Sequence, residues 1–467
     1  MIHTDTIVAL ATASGSGAIA IIRLSGDDAI PIADKQFKSV SDKKLIDQKS
    51  HTIHLGHIVD DQRTLDEVLV SVFKTPHSYT GQNVIEISCH GSPYIQQEII
   101  QLLIRGGARM ANPGEFTLRA FLNGKLDLSQ AEAVADLIAS ENEASHQVAM
   151  QQMRGGFSSE IAKLRSELMD FASLIELELD FAEEDVEFAN RDEFKRLVDR
   201  IILVLKRLID SFAVGNVIKN GIPVAIIGEP NVGKSTLLNA FLNEERAIVS
   251  DIAGTTRDTI EDEIAIGGIG FRFIDTAGIR KTDDVVESIG IKKTFEKMEQ
   301  AQVVLYLIEA QDLLINSEKI VFEIRQIQNQ YPQKPILVII NKIDKVSSNL
   351  DKEIAVIPTN TNIDGTFKIS AKNSIGIEQL SQALLNLVKT GALKNNETIV
   401  TNTRHYDALL KSLEEMQKVK MGIDTNLPGD LMAIDIRQAL FHLGEITGEI
   451  TTDDLLGNIF ANFCIGK

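Results

Sequence analysis

The run Gly228 to Thr236, GEPNVGKST, has the spacing G-x-x-x-x-G-K-[ST] and stands between an apolar run and a helix-forming one. Its glycines let the chain fold tightly, so successive backbone N–H groups point at one phosphate. A helix that follows aims its positive end the same way. Lys234 then bridges the β- and γ-phosphate oxygens and Ser235 ligates Mg²⁺, with Asn231, Val232, Gly233 and Thr236 completing the cradle. The base is read further along. NKID, Asn341 to Asp344, follows an apolar run, and a carboxylate at Asp344 accepts hydrogen bonds from guanine N1–H and the 2-amino group, a donor pair adenine lacks. Unmet partners in such a site cost on the order of 10³-fold in selectivity. Ser370, Ala371 and Lys372 (SAK) follow the next apolar run, where a backbone N–H can meet the guanine carbonyl. With Asn341 and Lys342 beside Asp344, the set points to GTP.

Two further segments lie between these motifs. Asp275, Thr276, Ala277 and Gly278 (DTAG) end a strand-like run; Asp275 holds Mg²⁺ through water and the Gly278 amide senses the γ-phosphate. In GTTRD, Gly254 to Asp258, a threonine hydroxyl completes the metal shell once triphosphate is present, and losing that contact on hydrolysis is an order–disorder switch. Ras-like switches carry a glutamine after DTAG to orient the attacking water. Here that position is Ile279, which has no hydrogen-bonding group. Another group orients the water, or hydrolysis is very slow.

These motifs need a scaffold. Residues 220–385 alternate short apolar runs (PVAIIG, GFRFIDTAG, VVLYLIEA, PILVIINKID, TFKISAK) with helical stretches, the pattern of a mostly parallel sheet covered by helices. Residues 1–120 mix β-like runs (TIVALAT, AIAIIRLSG, DEVLVSVF, NVIEIS) with a helix near QQEIIQLLIRGG, which reads as a compact α/β domain. Residues 121–219 and 386–467 read as helical. Ile161, Leu164, Leu168, Phe171 and Ile175 share one helix face, and Phe194, Leu197, Ile201, Leu205, Leu208 and Phe212 another. The simplest architecture is a helical domain interrupted by the α/β block, its last helices packing back on the earlier ones.

A chain of 467 residues exceeds one ordinary core. The net charge of −19 argues against gripping nucleic acid by bulk electrostatics, so an RNA substrate would need a local patch or a basic partner. Two distant cysteines, Cys89 and Cys464, and no basic leader at the start fit a reducing cytoplasm. No apolar run approaches the roughly 18–20 residues that span a bilayer.

The phosphate loop together with DIAGTTRD, DTAGIR, NKID, SYTGQNVIEISCHG, NPGEFTLRAFLNGKLDLSQAEAVADLI and the closing GEITGEITTDDLLGNIFANFCIGK resembles the MnmE (TrmE) family of tRNA-modification GTPases over the whole chain. The resemblance implies a K⁺ ion beside the phosphates, held by Asn231 with Ser250, Ile252 and Thr255, mostly through carbonyls. It extends the nucleotide contacts over Ser250, Asp251, Ile252, Ala253, Gly254, Thr255 and Thr256, makes Thr256 the second Mg²⁺ ligand beside Ser235, and has Glu287 position the water through a bridging water. Read without it, Glu287 is an ordinary helix-face acid.

The resemblance also makes the N-terminal domain a tetrahydrofolate-binding and dimerisation domain, with Arg23, Glu86, Lys125 and the terminal Lys467 as folate contacts for a 5,10-methylene or 5-formyl derivative. A folate's glutamate tail suits cations and its pterin suits a carboxylate. Without the resemblance, these are two surface cations and a strand-face acid. If the last helix ends near that pocket, Cys464 reaches the one-carbon unit as a thiolate; the alternative is a small buried hydrophobe that anchors the tail. Cys89 reads as core packing. The implied partners are a second copy, the FAD-containing protein MnmG in a heterotetramer, and tRNA, whose wobble uridine receives an aminomethyl or carboxymethylaminomethyl group. A ribosome-assembly GTPase and a stand-alone folate-dependent transferase are the alternatives; the first calls for a basic RNA module that the sequence does not contain.

Overall fold

The computed structural model describes residues 5–180, 191–244, 261–274, 298–346, 354, 363–387, 398–461 and 463–466. In chain order the first elements are β1 (Ile7–Leu10), β2 (Ile19–Ser25), α1 (Ala29–Gln36), β3 (Phe37–Ser39), β4 (Thr52–Asp60), β5 (Arg63–Phe73), β6 (Val84–His90), α2 (Pro93–Arg105), β7 (Arg109–Met110) and α3 (Glu115–Leu122). The helices α4 (Leu128–Ile138), α5 (Glu143–Met153), α6 (Gly156–Asp180) and α7 (Arg191–Asn220) follow. Next come β8 (Ile222–Ile227), α8 (Lys234–Glu244), β9 (Glu261–Ile266), β10 (Ile269–Ile274), β11 (Val303–Glu309), α9 (Ala310–Gln330), β12 (Ile336–Asn341), β13 (Ile363–Lys368) and α10 (Ile377–Leu387). The chain closes with α11 (Thr403–Asp424), α12 (Gly429–Thr447) and α13 (Asp453–Ala461).

Two compact units result. The first joins Met1–Ile138, Gln151–Ile202 and Ala408–Lys467; the second joins Ala139–Met150 and Leu203–Asp407. In the first, a seven-stranded sheet runs β3-β4-β5-β6-β2-β1-β7. Side chains alternate across it: Val68, Val70, Val72, Ile85, Ile87, Ile22 and Leu24 are buried with residues of α1 and α2. The opposite face exposes Ile53, Leu55 and Leu69 and carries Arg23 and Glu86, neighbours in register on β2 and β6. The strand β4 was not expected. Gly56 breaks its apolar alternation, because the Phe37 ring and the Lys38 carbonyl occupy the place its side chain would take, at 2.5 and 2.3 Å from a Cβ.

The helical stripes pack as their spacing demands. Ile161, Leu164, Leu168 and Ile175 are buried on α6, and Phe194, Ile201, Leu205 and Leu208 on α7. On α7 Val198 is fully buried and Leu197 only partly, since the 3.6-residue turn brings 194, 198, 201, 205 and 208 onto one line. Lys195 Nζ donates to Asp424 Oδ1 at 2.6 Å, and Lys420 pairs with Asp199, so the late helix α11 lies against α7. Among the described residues no helix is long and apolar enough to cross a membrane.

A buried ion cluster fixes α3 to the sheet. Arg119, 1% exposed, donates to Asp5 Oδ1 (2.8 Å), Glu115 Oε1 (2.9 Å) and Gln82 Oε1 (3.1 Å). Glu115, 4% exposed, also accepts from both Arg109 Nη atoms (2.6 and 2.8 Å) and from the Asn112 amide (2.9 Å). Burial pushes the Glu115 carboxyl up, but the Arg109 hydrogen bonds, the Asn112 amide and Arg119 outweigh it and leave it below its ordinary value. Glu115→Gln leaves buried Arg119 with the carboxylate of Asp5 in place of two, so it is expected to cost up to about 3 kcal/mol, read as a lower urea midpoint. Asp5 is likewise held low against its burial, by Arg109 and Arg119. Both carboxyls sit lower when folded than when unfolded. Their stabilisation is therefore present above the unfolded values near pH 4 and is lost as pH falls through the folded ones; in Glu115→Gln that acid slope shrinks.

In the second unit the sheet order is β13-β12-β11-β8-β10-β9, parallel throughout except for β9, which pairs antiparallel with β10. All six residues of β8 and of β12 are buried, as strands covered on both faces must be.

Candidate nucleotide and tail-docking sites

The phosphate loop leaves the carboxyl end of β8 and enters α8 at Lys234, the edge where ligands bind in open α/β sheets. Asn231 is exposed and left-handed (φ 64°), and Lys234 Nζ donates to the Gly228 carbonyl at 2.8 Å. Ser235 and Thr236 are exposed in the first turn of α8. Asn341, 2% exposed at the end of β12, holds the region together. Its Nδ2 donates to the Val232 carbonyl (2.8 Å), and its Oδ1 accepts from the Lys342 and Ala371 amides (2.8 and 3.0 Å). One buried amide thus joins the phosphate loop, NKID and SAK. Gly233 must be glycine: a Cβ there would stand 2.3 Å from Asn341 Nδ2.

Lys342 is left-handed (φ 61°); its Nζ donates to the Asn231 carbonyl (2.6 Å) and pairs with Glu309 Oε2 (2.5 Å). Glu309 was not singled out in the sequence; its only signal is its place at the end of an apolar strand beside the phosphate loop. Asp344 Oδ1 accepts from Ser370 Oγ at 2.6 Å, a bond that lowers its pKa and keeps it an ionised acceptor. Lys372 lies in the short turn Ala371–Asn373. Ser250, Asp251, Ile252, Ala253, Gly254, Thr255, Thr256, Asp275, Thr276, Ala277, Gly278, Ile279 and Glu287 lie outside the described residues.

A second cluster forms in the first unit on the open sheet face. Arg23 Nε and Nη2 both meet Glu86 Oε1 at 2.8 Å, and Arg23 Nη1 donates to the Gly466 carbonyl at 3.2 Å. The guanidinium lies over the rings of Tyr79 and Phe116, 5.6 and 5.8 Å from their centres. Tyr79 OH shares a 2.9 Å hydrogen bond with Thr117 Oγ1, which fixes its ring. Lys125 is exposed, its stem beside Gly81 in the loop that carries Tyr79. Tyr79 and Phe116 stand inside SYTGQ and GEFTL, runs already marked, yet no spacing rule paired them with Arg23.

The chain end is anchored here. Phe463 packs with Phe460, Leu456, Leu128 and Ala131, the Gly114 amide donates to the Cys464 carbonyl (3.3 Å), and Gly466 fits against the Leu10 carbonyl. Cys464 itself is exposed, so Phe463 and not the thiol serves as the hydrophobic anchor. Cys89 is buried in the sheet core, where burial pushes its thiol up to about 11. Lys467 lies outside the described residues.

A strand–loop–helix phosphate loop, tied through one asparagine to NKID and SAK at the carboxyl edge of a parallel sheet, defines a P-loop GTPase. Comparison with known proteins extends the assignment beyond this domain. Residues 6–125 match the model described as GTP-binding protein TrmE N-terminus, and residues 128–464 match the MnmE helical domain. The tRNA modification GTPase MnmE of Flavobacterium johnsoniae is 70% identical over 468 residues, covering 100% of both chains. Those of Flavobacterium psychrophilum and Christiangramia forsetii are 69% and 68% identical, covering 100% and 99% of each chain. The chain belongs to the MnmE family of tRNA modification GTPases, and it is a GTP hydrolase.

Proposed function

We propose that this cytoplasmic GTPase is stimulated by K⁺ and works as a homodimer with an FAD-containing MnmG-type partner. Together they attach an aminomethyl or carboxymethylaminomethyl group to C5 of the wobble uridine of certain tRNAs, with carbon from a tetrahydrofolate derivative. In this reading residues 1–120 bind folate and dimerise, 220–385 form the GTPase domain, and 121–219 with 386–467 form the helical domain.

On the nucleotide side, Lys234 meets the β- and γ-phosphate oxygens, Asp344 the guanine edge, and the Ala371 amide its carbonyl. Oxygen donors suit both cations: Ser235 and Thr256 would hold Mg²⁺, and Asn231 with Ser250, Ile252 and Thr255 would hold K⁺. Bound cations supply neutralisation of the charge that develops on the phosphates. Glu287 takes over the placing of water that Ile279 cannot perform. The exposed row Ile53, Leu55 and Leu69 on the open sheet face supports pairing of N-terminal domains, since such apolar surface favours a partner.

The observation that carries the folate reading is the docking of the tail carbonyl on Arg23, beside Glu86 and two aromatic rings. A cation, a carboxylate and ring faces match a flat pterin with amide and amino donors and an anionic tail. The exposure of Cys464 supports a chemical role for its thiol over packing. The test is the modification assay with partner, GTP and 5,10-methylene-tetrahydrofolate. Arg23→Ala and Gly466→Ala, the second of which drives a Cβ to 2.2 Å from the Leu10 carbonyl, should each abolish product while GTP turnover persists. Full modification by both variants would refute the folate reading.

A further inference from the structure

The hairpin β9–β10 joins the two segments that flank the nucleotide site in sequence, and its far end is gripped by a helix from another part of the chain. Its strands pair from Glu261↔Ile274 to Ile266↔Ile269. The turn Gly267–Gly268 is left-handed at both residues (φ 56° and 79°), as a two-residue hairpin turn requires. At the open end, Asp258 of GTTRD precedes Glu261 by three positions, and Ile274 leads directly into Asp275 of DTAG. The closed end stands roughly 20 Å away, at about 3.3 Å per residue. It overhangs the sheet: β10 pairs with β8 only from Phe271 to Ile274, leaving Ile269 and Gly270 beyond that ladder.

The first turn of α5 meets this overhang. Asn142 caps the helix, its Oδ1 accepting from the Ser145 amide (2.9 Å) while Ser145 Oγ donates to the Asn142 carbonyl (3.0 Å). The Ala144 amide, which helix geometry leaves without an intrahelical acceptor, donates to the Gly268 carbonyl at 3.0 Å. Asn142 Nδ2 stands 3.5 Å from Glu263 Oε1 on β9, and Ala144 and Val148 are buried in one cluster with Ile266, Ile269 and Phe271. On the other side the turn rests on α10, where a Cβ at Gly267 would stand 2.7 Å from Leu385 Cδ1. The hairpin is held at its tip from two directions.

We propose that Ala144 and Asn142 are positioning residues for GTP hydrolysis: they fix the closed end of the β9–β10 hairpin and thereby set where its open end presents GTTRD and DTAG. A hairpin pinned at the tip tilts as one body, so a shift at α5 reaches both motifs together. The contacts of the phosphate loop, NKID and SAK come from other loops, joined through Asn341, and do not depend on that tilt. Glu263 adds sensitivity, because burial and Glu141 push its carboxyl up against the pull of Asn142 and Arg272.

The test is steady-state GTP hydrolysis by the full chain carrying Ala144→Pro or Ala144→Ser. Proline is tolerated in a first helical turn but has no N–H to give Gly268; serine keeps it. The proline variant should lose about 2- to 30-fold in kcat while its affinity for GDP, which has no γ-phosphate for DTAG to meet, stays at the wild-type value, and serine should restore kcat. Asn142→Asp keeps the helix cap but sets a second carboxylate against Glu263, and should show the same split. Wild-type kcat in the proline variant overturns the proposal, as does a parallel loss of kcat and nucleotide affinity. If the proline variant does not fold, Asn142→Asp decides by the same two criteria.

Discussion

An Asp344→Asn variant is expected to bind GTP about 10³-fold more weakly than the wild type and to bind xanthosine triphosphate in its place. In the proposed reading the carboxylate accepts from guanine's two donors, and Ser370 Oγ holds it at 2.6 Å as an ionised group. An amide can accept at only one atom and turns an N–H toward the 2-amino group, so two donors meet. Xanthine carries a carbonyl at that position and pairs with the amide. The substitution leaves Asn341 untouched, and with it the bonds that join the phosphate loop to NKID and SAK. Competition of GTP and xanthosine triphosphate for a fluorescent nucleotide reads the switch directly. Unchanged preference would mean that the base is recognised elsewhere.

The second large effect concerns turnover. Lys234→Ala should lower kcat by about 10²–10³-fold, the range for losing one group aimed at developing transition-state charge. Lys234 begins α8 and its Nζ is held to the Gly228 carbonyl, so the ammonium sits within the phosphate loop with no large entropy left to lose. Its removal leaves the buried face of α8, Leu237, Ala240 and Phe241, intact. The melting temperature should therefore stay near that of the wild type. A fall in stability equal to the fall in activity would point to a folding role instead.

The phosphate loop, NKID and SAK were legible in the sequence because their chemistry is local: each is a short run at the end of a strand. What spacing could not give was the hub. Asn341 appeared as one of four letters, yet its amide spans three loops separated by 109 and 30 positions. The same limit hid the second cluster. Arg23 and Glu86 are 63 residues apart, and only the β2–β6 register brings them together. Gly466 comes from the other end of the chain, 443 residues away. The strand β4 escaped notice because Gly56 makes room for Phe37, a reason that exists only once β3 is paired. Nor did composition show that Ala139–Met150 would cluster with the GTPase block, since the amide that ties it there belongs to a plain alanine.

In the proposed function a monovalent cation held by Asn231 does the work for which Ile279 offers no water-orienting glutamine. Steady-state GTP hydrolysis in K⁺ against Na⁺ at fixed ionic strength tests it most directly. The rate should be about 10²-fold higher in K⁺, on the scale of one charge-stabilising group, with the difference abolished by Asn231→Ala. Equal, slow rates in the two salts would contradict it.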